Sequence, residues 1–198
     1  MKKLFYLALV LLFAASCIQK KNNVDNVETA ESEPNDSTIY GICGDGTMMH
    51  TLELITNMQD TLYIEINDDE TSDQTIVAGG MMSGDRMAVT ARKTEDGMVA
   101  QRILNLTSLL GKWSSIDKSF EITDDGGVRS FVKMESNKWT EWRIINGQLL
   151  LNRDTFDIVS IGADSLEIEN KEGIFSFKRV LTKSLVKSEI AKDSIQKH

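Results

Sequence analysis

The sequence predicts an all-β chain of two small barrels in series, and three observations lead there. Apolar residues recur with period two in short runs, as in Leu62, Ile64 and Ile66, rather than with the period of a helix. Turn residues punctuate the runs, and Asn146-Gly147 between two apolar stretches is the strongest short-range hairpin signal. The strand pattern also stops and restarts near Thr107. Composition agrees with a globular chain: 41% of the 198 residues are hydrophobic and 26% charged, with one proline and a formal charge of −8. Those values exclude a disordered polymer, a multi-span membrane protein and a basic nucleic-acid-coating protein, so no nucleic acid is expected as a partner.

The first element in chain order is a targeting segment over residues 1–16. Met1-Lys2-Lys3 gives a basic start, residues 4–15 an apolar run too short to span a bilayer permanently, and Ala14-Ala15-Ser16 the small residues a signal peptidase reads. Cys17 follows directly and resembles the lipobox cysteine of bacterial lipoproteins, which implies lipidation at Cys17 as the first mature residue. With Ile18 rather than aspartate in second place, the resemblance implies the outer membrane rather than the inner. Loss of Lys2 and Lys3 takes the charge from −8 to −10, so membrane contact is expected through the lipid and not through a basic face. Residues 17–37 are polar and acidic, too poor in large apolar side chains to offset the entropy of ordering, and read as a flexible tether reaching roughly 25 Å if coiled.

Residues 38–106 read as the first barrel. Strands are expected at 40–43, 51–55, 61–66, 75–78, 87–91 and 99–104, separated by polar turns such as Ser83-Gly84-Asp85 and Glu95-Asp96-Gly97. Six short strands with this spacing resemble a small OB-like barrel.

Residues 109–181 read as the second barrel. After Leu109-Leu110-Gly111-Lys112-Trp113 come strands expected at 120–123, 128–134, 138–145, 148–152, 155–161, 165–169 and 174–180, joined by tight turns. Sequential hairpins describe an up-and-down meander, which removes its edges by closing. Gly111-Lys112-Trp113 resembles the Gly-x-Trp signature of lipocalins, and the stretch is similar to the short lipocalin-like domains of Gram-negative envelope lipoproteins. The resemblance implies that Trp113 packs across the closed end under a basic residue of the last strand, Arg179. Independently, Phe175, Phe177 and Arg179 share one strand face, so the phenylalanines carry the arginine toward the interior. Phe120, Trp142, Phe156, Phe175 and Phe177 are the candidate ligand-lining rings, against the alternative that they fill the core. Residues 182–198 carry apolar residues that share no helical face and read as a mobile tail.

Other motifs fail on chemistry. The acidic run from Asn67 to Asp73 lacks the glycine and the closing glutamate of a calcium loop. Residues 41–46 lack a phosphate-loop lysine, and two histidines, His50 and His198, give no catalytic triad or zinc cluster. Asn105-Leu106-Thr107 fits a glycosylation sequon that carries no weight in a bacterial envelope. Seven of the nine methionines fall in the first barrel, near Cys43 and His50. Thioether, thiolate and imidazole ligands suit Cu(I), with Cys43, Met48, Met49, His50, Met81 and Met82 as the set, although methionine as core filler explains the bias more simply.

The expectation is therefore a lipid-anchored envelope module without a cofactor, partnered with the membrane through Cys17 and with a small apolar ligand or an envelope protein. A copper-sensing or envelope-stress-sensing lipoprotein is the alternative. An enzyme is a second one, disfavoured because no acid–base or nucleophile constellation is evident.

Overall fold

Short amphipathic runs become strands almost everywhere the alternation is clear. The computed structural model describes residues 35–69, 73–132 and 137–181, so Cys17, the targeting segment, most of the expected tether and the tail lie outside the described residues. The first sheet comprises β1 (Ile39–Cys43), β2 (Thr51–Thr56), β3 (Thr61–Glu65), β4 (Ile76–Ala78), β5 (Arg86–Lys93) and β6 (Met98–Asn105). Helix α1 (Leu106–Leu109) follows, and then β7 (Gly111–Ser114), β8 (Ser119–Ile122), β9 (Val128–Ser130), β10 (Trp142–Ile145), β11 (Gln148–Leu151), β12 (Asp154–Ile161), β13 (Ser165–Asn170) and β14 (Gly173–Arg179).

The first sheet closes on itself. Strands run in the order β3-β2-β1-β5-β6, and β6 returns to β3 in parallel at Val99 and Glu65, which is the strand order of an OB-type barrel. β6 is long enough to serve two neighbours, since its second half pairs with β4 from Arg102 to Leu104. Inside lie Leu52, Leu54, Ile64, Met87, Val89 and Ile103, all without solvent exposure. At about 1.5–3 kcal/mol for each fully buried aliphatic side chain, they supply the main drive for this barrel.

The second sheet is the expected meander, with β14 coming back to β7 at Trp113 and Ser114. Its last gap, between β9 and β10, is bridged at Gly127 and Glu141, with Val128 donating to the Thr140 carbonyl (2.9 Å) and Trp142 to the Gly126 carbonyl (2.9 Å). β10 starts at Trp142 rather than at 138 because a side chain takes over the ladder. Asn152 Oδ1 accepts from the amides of Thr140 (2.8 Å) and Glu141 (3.2 Å), while its Nδ2 donates to the Lys138 carbonyl (3.0 Å).

The boundary near Thr107 separates two sheets but not two cores. The apolar cluster of the second barrel continues through Leu109 and Leu106 onto Ala78, Ala88 and Leu104, which face outward from the first barrel. β5 is accordingly buried on both faces from Met87 to Thr90. The link where the strand pattern breaks is a helical turn with Leu106 and Leu109 buried, capped by the Asn105 side chain on the Ser108 amide (2.8 Å). Asn105 is fully buried and also donates to the carbonyls of Gly79 and Gly80 and to the Asp85 carboxylate (2.6 Å), so every polar atom of its amide is used.

The tether is also shorter than expected. Residues 35–37 are held by the β10–β11 turn: Ser37 donates through its amide (2.9 Å) and hydroxyl (2.8 Å) to Asn146 Oδ1, and the Asn146 amide donates to Asp36 (3.1 Å). Composition marks these residues as polar, but it does not reveal that Asn146, at φ 50° in the hairpin, turns its amide toward them.

Candidate functional site

The base of the second barrel is built on Gly111 and Trp113. Gly111 has φ 125°, and a Cβ there would lie 2.7 Å from Arg179 Nη1, so only glycine lets the arginine reach across. Trp113 is fully buried and donates from its indole to the Leu109 carbonyl (2.9 Å). The Arg179 guanidinium lies 4.1 Å from its ring centroid. It also donates to the carbonyls of Ala163 (2.7 Å), Leu110 (2.8 Å) and Ser108 (2.6 Å), the last two at the end of α1. Burial pushes this guanidinium down from its ordinary range. Arg179 thus locks the last strand, the β12–β13 turn and the link between the sheets over one indole.

Above that base the rings form a chain of edge-to-face contacts. Phe120 meets Phe177 and Trp139 at 5.1 Å each, Trp139 meets Phe156 at 5.7 Å, and Phe156 meets Phe175 at 5.9 Å. Phe120, Phe156 and Phe177 are buried, while Trp142 is half-buried with its indole donating to the Thr123 carbonyl (2.7 Å). Four of the five rings named in advance therefore join one packed set, to which Trp139 belongs as well. Trp142 stands beside it at the β8–β9 turn.

That set is reached from one side. β14 pairs with β7 only at Lys178 and Arg179, because β7 ends at Ser114 and the chain turns back through residues 115–118. Beside residues 174–177 lies a groove of about 510 Å³ lined by Ile116, Lys118, Ile174, Phe175, Phe177 and Lys178. Ile116 is wholly exposed and Ile174 is 61% exposed, an unusual display for two isoleucines so near an aromatic core. Lys118 holds its ammonium 4.0 Å from the Trp139 ring centroid at the groove's rim. Beyond Phe175 and Phe177, the sequence carries one signal for this site, a single isoleucine in the polar turn Ser114-Ser115-Ile116-Asp117-Lys118.

A larger hollow of about 760 Å³ lies outside β12 and β13, lined by charged and amide side chains such as Arg153, Asp154 and Glu169. A third, of about 470 Å³, lies where the barrels meet around the Arg102–Asp157 ion pair (3.1 Å). Both are polar surfaces in which water competes for every contact, so the groove beside β14 is the better candidate for an apolar ligand.

The soft-ligand set of the first barrel separates. Cys43 is buried, its thiol 3.3 Å from the Thr47 hydroxyl, Met81 is packed against the core, and His50 lies 3.5 Å from Asp68. Met48, Met49 and Met82 are 71%, 78% and 74% exposed, which removes core filling as the reason for them. Among the described residues no group of three or more histidine, cysteine or acidic side chains could hold a metal ion, and no helix is long and apolar enough to cross a membrane. Comparison with protein-family models, curated proteins and solved structures gives no match.

Proposed function

We propose that the chain is a lipid-anchored binding module of the cell envelope, related to the small lipocalin-like envelope lipoproteins, that takes a small apolar ligand at the side of its second barrel. Acylation at Cys17 would supply the anchor, with the outer membrane favoured by Ile18. The observation that supports ligand binding is the groove where β14 outruns β7 and two exposed isoleucines lead to Phe175 and Phe177. An apolar guest there would cover Ile116 and Ile174, each worth about 1.5–3 kcal/mol when fully removed from water.

Two measurements test the two halves of this reading. Cys17→Ala should abolish incorporation of labelled fatty acid and release the protein from the membrane fraction; label retained by the variant would end the lipoprotein reading. For the groove, a fluorescent fatty acid such as cis-parinaric acid should bind the full chain saturably. The pair Ile116→Glu and Ile174→Glu should abolish binding while leaving the melting temperature unchanged. Binding that survives the pair would place the ligand elsewhere.

A further inference from the structure

A strand alternates the side to which it turns its main-chain polar groups, and in β14 that alternation leaves an edge open. The Arg179 amide donates to the Asp164 carbonyl (2.8 Å) on the side of β13, while the Val180 amide donates to the Lys112 carbonyl (2.8 Å) on the side of β7. With this period of two, Ile174, Ser176 and Lys178 turn their N–H and C=O groups toward β7. Lys178 meets Ser114 there. Ile174 and Ser176 meet no partner, because β7 ends at Ser114, and among the described residues no hydrogen bond reaches their main-chain groups.

This edge borders the apolar groove already described. Phe175 and Phe177 share the inward parity of Arg179 and form its floor, and Ile116 on the turn after β7 forms the facing wall. Ile174, on the edge itself, points outward and is exposed. Glu167, the acid nearest on β13, accepts from the hydroxyls of Ser160 (3.3 Å) and Ser176 (3.4 Å). The edge carries no proline, and the β13–β14 register runs without a bulge from Ser165 to Asn170, so two devices that commonly blunt open strands are missing.

A guest here must satisfy main chain as well as cover apolar surface. Donors and acceptors that recur every second residue, about 7 Å apart, are matched by the backbone of another extended peptide and left bare by a hydrocarbon. The floor can take alternate side chains of the same peptide. Charge narrows the choice further, since a chain with a formal charge of −8 repels an acidic segment and not a neutral or basic one.

We propose, on the premise that the groove beside β14 is the binding site, that its guest is an extended, neutral or basic peptide with alternating apolar residues, which adds to the sheet where β7 stops. The added strand runs antiparallel to β14, as β7 does, and continues the line of β7. In that pairing the guest residues opposite Ile174 and Ser176 face outward and carry the hydrogen bonds. The residues between them lay their side chains over Phe175 and Phe177.

The test uses the full chain and a fluorescein-labelled, end-blocked nonapeptide that alternates threonine with valine between two terminal lysines. Fluorescence anisotropy should show saturable one-to-one binding. N-methylation of the threonines, whose amides face β14, should weaken it at least tenfold, and N-methylation of the valines, whose amides face away, should not. Ser176→Pro removes one edge donor at a strand position where proline is tolerated. It should weaken peptide binding at least tenfold and leave cis-parinaric acid binding and the melting temperature unchanged. Binding of cis-parinaric acid without binding of the peptide overturns strand addition and leaves the groove as an apolar site; failure of both probes removes the groove reading as well. Peptide binding indifferent to threonine methylation overturns the edge pairing even if Ser176→Pro fails to fold. So does a dimer of the chain that Ser176→Pro dissociates, because the edge then belongs to a second copy.

Discussion

Arg179 has a larger role than its charge suggests, because its fork fits three carbonyl oxygens as well as one indole face. Removing Trp113 to alanine leaves a cavity at the base of the second barrel and should cost about 3–5 kcal/mol in urea unfolding. Arg179→Ala leaves Ser108, Leu110 and Ala163 to find other partners, and should cost about 2–3 kcal/mol, with Arg179→Lys recovering only part because an ammonium cannot span the same oxygens. Asn105→Ala should cost about 2–3 kcal/mol by chemical denaturation, since it removes a helix cap and takes a donor from the Gly79 and Gly80 carbonyls and the Asp85 carboxylate together, leaving Gly79 with the Ser108 hydroxyl (3.0 Å). A cost under about 0.5 kcal/mol for Asn105→Ala would mean that water replaces it freely, as at a surface position. The pairing of Trp113 with a basic residue of the last strand is readable from Gly111-Lys112-Trp113 and strand parity. The importance of Asn105 is not, because a sequon-like tripeptide gives no hint that two distant carbonyls and the Asp85 carboxylate converge on it.

Among the elements, alternation made nearly every strand visible, and the misreadings have specific causes. Asn152 shortens β10 by satisfying amides that a partner strand would otherwise hold, and no periodicity signals that competition. Residues 35–37 look like linker by composition, and only the fold brings Asn146 to them. Two effects oppose at Asp36 in this contact: burial pushes its carboxyl up, and hydrogen bonding from Thr38 and from the Asn146 amide pulls it down by more, so it lies below the ordinary value of 3.8. A carboxyl depressed in the folded state stabilises fully above its unfolded value and loses that contribution as the pH falls through the folded one. The stability gap between the natural chain and Asp36→Ala, followed by urea unfolding, should therefore be constant near neutrality and shrink as the pH falls below about 4. A gap that is flat down to pH 2 would show that the carboxylate contributes nothing beyond its shape. The groove beside β14 was half legible, since Phe175 and Phe177 stand out in the sequence. The shortness of β7, which opens the groove, depends on where the 115–118 turn falls.

For the whole molecule, the apolar cluster that runs from Trp113 through Leu109 to Ala88 makes the two barrels one folding unit. Thermal unfolding followed by tryptophan fluorescence, which reads only the second barrel, and by far-ultraviolet circular dichroism, which reads both, should give coincident transitions. A chain cut to residues 109–181 loses Leu106 and the outer face of the first barrel, and should melt well below the full protein. Separate transitions in the full chain would argue for two independent domains, as the break in strand pattern near Thr107 suggests when it is read alone. The clip at Asn146 has a further, mechanical meaning. A pull on the amino end enters the folded body at residue 35 and meets the hairpin of the second barrel before it meets β1 of the first. Tension is thus shared between the barrels at the seam where they already adhere, and the first bonds to break under load are a few at a surface turn. The ladder of β1 against β2 and β5 is shielded until that fuse has failed.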